Sequence, residues 1–172
     1  MSTPPVLPSL TADCASCAGL CCVMLAFDKG EDFALDKPAH QPCPNLSADF
    51  SCAIHDRLDQ AGFPGCRRYD CLGAGQRVTQ EVFKGKDWRS HPETLPAMAD
   101  AFAILRRVHR DLELLAAARA LPLTAARSAE LSRLLSEANP ADGWSEPALA
   151  RFAQGDHGAR VARFLRGLRD HV

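Results

Sequence analysis

C-A-S-C-A-G-L-C-C, residues Cys14 to Cys22, puts four of the chain's eight cysteines into nine positions. The other four, Cys43, Cys52, Cys66 and Cys71, follow before position 72, and the rest of the 172 residues has none. Thiols crowded into one half of a chain point to a built site. Such a site holds disulfides, metal, or inert and regulatory thiols. Disulfides need an oxidising compartment. The first ten residues, M-S-T-P-P-V-L-P-S-L, have neither the basic nor the apolar region of a signal peptide. No apolar run reaches the ~18 residues of a membrane-spanning helix. A cytoplasmic location is therefore expected, and there clustered cysteines bind metal or do redox chemistry more often than they cross-link.

On a helix, Cys14, Cys17 and Cys21 fall at i, i+3 and i+7, which is one face. Asp13 is positioned to cap that helix. Three thiolates near its positive end would form a tridentate site. Cys22 is rotated about 100° from Cys21 and is left for a second site or for packing. Gly19 allows another segment, or an inorganic core, to approach the backbone.

Outward from this stretch, Val23 to Phe27 either extends the helix or forms a short buried strand, and Asp28 to Asp32 is an exposed turn. The prolines of K-P-A-H-Q-P-C-P-N, residues 37–45, exclude regular structure and present Cys43 on a loop. A cysteine followed by proline also ends the bacterial ferredoxin cysteine run. Ser51 to Gln60 reads as a short helix with Cys52 and His55 on one face. His55 is thereby a candidate nitrogen ligand, and His40, beside the Cys43 loop, a weaker one. Gly62 to Gly65 is a tight turn. Leu72 to Gln76 reads as a turn in preference to a phosphate loop, since no strand precedes Gly73 and Gly75. Val78, Val82 and Phe83 suggest one more short helix.

From Thr94 the pattern becomes helical. Thr94 can cap a helix with Pro96 in its first turn, and Met98, Ala101, Phe102, Leu105, Val108, Leu112 and Leu115 form one apolar stripe to about Ala120. A second helix is expected over 124–138, with Leu131, Leu134 and Leu135 inward. A third, capped by Ser145 with Pro147 in its first turn, ends at Gly155. A fourth starts near Asp156 and buries Val161, Phe164, Leu165 and Leu168. Short connections imply antiparallel packing. Arg160, Arg163, Arg166 and Arg169 recur along the last helix and read as a solvated face in preference to a partner site. His91, His109, His157 and His171 read as surface or helix-packing residues.

The fold class expected is mainly α: an irregular, cysteine-rich, metal-organised half (1–93) followed by a small helical bundle (94–172), packed as one folding unit. A chain of this length buries enough surface not to need metal as a substitute for a core. The net charge of −1 and the few aromatics speak against nucleic-acid and membrane-surface partners.

The order C-x-x-C-x-G-x-C-C (Cys14 to Cys22), C-P-x-L (Cys43 to Leu46), C-x-I-H-D-R-L (Cys52 to Leu58) and C-x-x-x-x-C (Cys66 to Cys71) resembles the YkgJ-like cysteine-cluster family, described as a zinc- or iron-chelating domain. The resemblance covers residues 13–76 and leaves the later helices outside. Where that family has Arg-Pro before the cysteine matching Cys66, this chain has Phe63-Pro64-Gly65. The resemblance implies metal binding through Cys14, Cys17, Cys21, Cys22, Cys43, Cys52, Cys66 and Cys71. A relative with a similar cysteine region, the flagellin lysine-N-methylase, is associated with an iron–sulfur cluster and methyl transfer. No glycine motif for S-adenosylmethionine is visible here. Similar modules also stand beside pentapeptide-repeat solenoids, and no such repeat is present.

Eight thiols suit two four-cysteine sites, or one [4Fe–4S] cluster and a second metal. The preferred expectation is an iron–sulfur protein in electron transfer or redox sensing. Cys14, Cys17, Cys21 and Cys43 would hold the cluster, and Cys22, Cys52, Cys66 and Cys71 a second site. The alternative is a zinc-braced, non-catalytic module whose C-terminal helices bind a protein partner. A third possibility is a metal- or cluster-dependent enzyme, such as a methyl transferase, with Asp56, Tyr69 and Asp70 as acid–base groups. Whether the chain is an enzyme stays open at this stage.

Overall fold

The computed structural model describes residues 6–168; Arg169, His171 and the first five residues of the Pro-rich lead-in lie outside them. Seven α-helices are described: α1 (Leu20–Met24), α2 (Pro64–Arg68), α3 (Ala74–Arg77), α4 (Leu95–Ala118), α5 (Ala125–Ala138), α6 (Glu146–Ala153) and α7 (His157–Arg166). A π-helical turn, Val78–Val82, continues α3. Among the described residues there is no strand, only the isolated bridges Phe27 with Lys37 and Leu46 with Cys52. The fold is mainly α.

The axis of the molecule is α4, about 36 Å long at 1.5 Å per residue. Met98, Ala101, Phe102, Leu105, Val108, Leu112 and Leu115 are all buried, so the expected stripe is the face the other helices cover. Helices α1, α3, α5, α6 and α7 all touch α4. Thr124 accepts from the Arg127 amide, and Ser145 from the Ala148 amide, so both expected caps form. Thr94 does not cap α4. A 3-10 turn, Pro92–Thr94, runs directly into the helix, and the Thr94 hydroxyl donates to the His91 carbonyl at 2.7 Å instead.

The first half departs from expectation in four places. Cys14, Cys17 and Cys21 do not share a helix face. Cys14–Ser16 is a 3-10 turn, Cys17 is extended, and Gly19 sits at φ 64° before α1 begins. Asp13 does cap, but it caps this turn, accepting from the Ala15 amide at 3.1 Å. Gly19 is needed there, because a Cβ would lie 2.8 Å from Leu46 Cδ1 in a left-handed conformation. Nor is Ser51 to Gln60 a helix: only His55–Arg57 forms a 3-10 turn. Cys52 bridges to Leu46 and the Ala53 amide donates to Asn45, which leaves Cys52 and His55 off any common face. The Gly62 to Gly65 turn gives way to α2 at Pro64, and Leu72 to Gln76 enters α3, with Gly73 at φ 78° as its N-cap.

A buried polar knot joins the two halves. Arg77 of α3 reaches Glu81 at 3.0 Å, Asn139 at 2.6 Å and His109 Nε2 at 3.4 Å. His109, on α4, is fully buried, and its Nδ1 lies 2.5 Å from the Leu72 carbonyl. Only a donor satisfies that carbonyl, so Nδ1 carries the proton and Nε2 accepts from Arg77. Glu81 also accepts from the Trp144 amide at 2.5 Å. Of the arginine stripe on α7, Arg163 and Arg166 are solvated, while Arg160 pairs with Glu137 at 2.8 Å.

Burial pushes the His109 pKa down from 6.5 to about 4, and the Arg77 charge adds to the effect. The unfolded chain therefore takes up a proton below pH 6.5 that the fold refuses until about pH 4. The stability this neutral imidazole contributes is full above pH 6.5 and is lost as pH falls towards 4. The loss amounts to about 3 kcal/mol at 1.36 kcal/mol per pKa unit. Denaturant unfolding between pH 7.5 and 4 should show this decline in the wild type. It should be flatter in His109→Asn, whose amide keeps a donor for Leu72 but takes up no proton.

Candidate functional site

The cysteine loop is held by the side chains of α3 and its π turn. Gln76 accepts from the Asp13 amide and donates to the Thr11 carbonyl, both at 2.8 Å. Thr79 accepts from the Ala18 amide at 3.1 Å, and Gln80 donates to the Ser16 carbonyl at 2.9 Å. The Trp88 indole closes the far end, donating to the Ala18 carbonyl at 2.7 Å. Gly75 faces Cys17, and a Cβ there would stand 2.7 Å from Cys17 Sγ. Loop and helix are thus fitted atom to atom, and Cys71 precedes α3 by three residues.

The remaining thiols come from separate elements. Cys21 and Cys22 lie on α1, with their Sγ atoms 4.0 Å apart. The Cys43 amide donates to the Cys22 carbonyl at 2.8 Å, which docks the Pro-flanked loop on α1. Cys66 lies on α2. Cys52 and Cys66 pack against a small cluster of Ile54, Leu58 and Phe63, whereas Cys17, Cys21, Cys22, Cys43 and Cys71 belong to the main core. All eight are free thiols.

Their mutual fields reveal the arrangement. Burial, then the neighbouring Cys21 and Cys71 thiols, raise Cys14 above its ordinary range. Burial pushes Cys17 up to about 11, with Cys21 and Cys71 acting in the same sense. Cys66 is pushed to about 11 by burial and by Cys21, Cys43 and Cys52. Cys52 is raised by burial and by Cys43 and Cys21. Cys21 itself is raised by its hydrogen bond with Cys22 and by burial. The field of Cys21 is thus felt at Cys14 and Cys17, which Cys71 also reaches, and at Cys52 and Cys66, which Cys43 also reaches, while Cys52 reaches Cys14 as well. Among the described residues no three His, Cys, Asp or Glu side chains stand in metal-holding geometry as placed.

His55 is exposed on its 3-10 turn, and His40 is exposed at φ 62°. Of the acid–base candidates, Asp70 accepts from the Leu72 amide at 2.7 Å and Asp56 is exposed. The Tyr69 hydroxyl is buried without a hydrogen-bond partner, and burial raises its pKa although Arg106 lies 5.1 Å from its ring. Sequence reasoning passed over Lys37, which is 4% exposed. Its Nζ donates to the carbonyls of Val23 (3.1 Å), Pro38 (3.1 Å) and Gln41 (2.8 Å). It also missed Gly75, Gln76, Thr79 and Gln80. The available signal was the G-A-G-Q run, which carries small and amide side chains into a helix directly after Cys71.

No family model matches the chain, and no solved structure matches it. It is similar to a protein of Bacillus subtilis (strain 168) described as "Uncharacterized protein YybG", with 39% identity over 156 residues. The match takes in 91% of this chain but 56% of that protein, so the chain spans little more than half the length of its relative. No helix among the described residues is long and apolar enough to cross a membrane.

Gly75→Ala should force Cys17 or α3 to shift and cost about 1–3 kcal/mol, the usual penalty for overpacking. A lowered unfolding temperature and faster alkylation of Cys17, followed by peptide mass spectrometry, would register it. Gly30→Ala, where no atom lies within 4 Å of the added Cβ, serves as the silent control.

Proposed function

We propose that the eight thiols hold metal, as an iron–sulfur cluster in preference to zinc, and that the protein works in electron transfer or redox sensing. The observation that carries this is that the free thiols Cys14, Cys17, Cys22, Cys52 and Cys66, from segments far apart in sequence, all neighbour Cys21. The donor set is purely sulfur, which suits iron–sulfur clusters and zinc alike. The order of the cysteines adds the resemblance to the zinc- or iron-chelating family.

The neighbourhoods favour Cys14, Cys17, Cys21 and Cys71 as one ligand group and Cys22, Cys43, Cys52 and Cys66 as the other. This exchanges Cys43 and Cys71 relative to the sequence-based assignment. What supports it is the field of Cys71 at Cys14 and Cys17, and the hydrogen bond from the Cys43 amide to the Cys22 carbonyl. Burial raises the Cys14, Cys17, Cys52 and Cys66 thiols above their ordinary range, so metal entry there displaces protons, and the bound ion supplies the charge that stabilises thiolates. A bound cluster would supply one-electron chemistry. The zinc-braced reading keeps one specific support: apart from the five-residue α1, residues 6–63 contain only turns and bridges, and such a segment gains from a closed structural site.

Anaerobic purification, with a visible spectrum and iron, sulfide and zinc analysis on one sample, separates these outcomes. Brown protein with matching iron and sulfide is expected, and Cys21→Ser should lose most of the colour because Cys21 adjoins both groups. Colourless protein with about two zinc ions per chain would support the brace instead. Metal-free protein would refute both.

A further inference from the structure

We propose that Lys37 is the resident counter-ion of the cysteine centre, an ammonium anchored by backbone carbonyls so that its charge faces the thiolates. The proposal rests on the metal-holding function above. An ammonium taken out of water is costly unless it is paired and hydrogen-bonded. The three carbonyls use all three Nζ hydrogens and meet the second requirement. The first is not met by a carboxylate, since among the described residues no Asp or Glu forms an ion pair with Lys37.

Burial works against the Lys37 charge, and the titratable side chains whose fields favour it are Cys43, Cys22, Cys21 and Cys66. Its anchors explain this placement. Val23 lies in α1 with Cys21 and Cys22, while Pro38 and Gln41 lie on the loop that presents Cys43. The Phe27 ring, 5.5 Å from Nζ, covers it. Four thiolates around a divalent ion leave excess negative charge, and in a poorly solvated site a fixed cation nearby offsets it strongly. Carbonyl anchors suit that task because, unlike a carboxylate, they hold the ammonium without cancelling its charge.

Zinc is the probe, added to the full chain in competition with a chromogenic chelator, with thermal unfolding of the metal-free chain followed in parallel. Lys37→Gln keeps a donor and removes the charge. It is expected to lower zinc affinity about ten- to a hundredfold, the range for outer-shell partners of a metal site. Lys37→Arg is expected to keep most of the affinity. A Gln chain that folds and binds zinc as tightly as wild type overturns the proposal and leaves Lys37 as a cap on α1. Should the Gln chain not fold, the Arg chain decides: retained affinity supports the counter-ion, and a folded chain with an equally steep loss overturns it. A wild-type chain that takes up neither zinc nor iron removes the metal-holding function itself, an outcome distinct from the others.

Discussion

The grip of α3 and its π turn on the backbone of residues 11–18 governs the rest of the molecule. Residues 11–18 have no helix of useful length, so their amides and carbonyls must be satisfied from outside. Gln76, Thr79, Gln80 and Trp88 do this one group at a time. A glycine at 75 lets the Cys17 sulfur come down onto the helix. The same helix packs on α4, so the apolar stripe of α4 fixes where Cys14 and Cys17 stand relative to Cys71.

Two buried basic side chains mark where the fold spends stability on polarity. Arg77 is held by a carboxylate, an amide oxygen and an imidazole, and it ties α3, α4 and the chain after α5 into one network. Lys37 has three carbonyls and the Phe27 ring, and no carboxylate pairs with it among the described residues. The contrast sets a structural knot beside the group proposed as a counter-ion. A buried charge that is fully paired gives little net stability, whereas one left unbalanced calls for a counter-charge.

The helical half was legible because its signals are local and repeated. The α4 stripe, the Thr124 and Ser145 caps and the inward Leu131, Leu134 and Leu135 follow from periodicity and side-chain chemistry over a few turns. The cysteine half was legible only in its inventory. Cys14, Cys17 and Cys21 have helical spacing, yet a helix there would remove Gly19 from its left-handed position against Leu46 and break the Ala18–Thr79 hydrogen bond. Those partners lie 27 and 61 residues away, beyond any local window. Lys37 escaped notice for the same reason: a lysine between charged and proline-rich stretches resembles a surface residue until the fold closes over it.

The most direct test of a thiol-built centre is X-ray absorption at the edge of whatever metal the anaerobically purified protein carries. The account predicts a first shell of sulfur alone, at about 2.3 Å, with an iron–iron distance added if a cluster is present. A first shell dominated by nitrogen or oxygen would contradict it, because the ligands would then lie outside the eight cysteines.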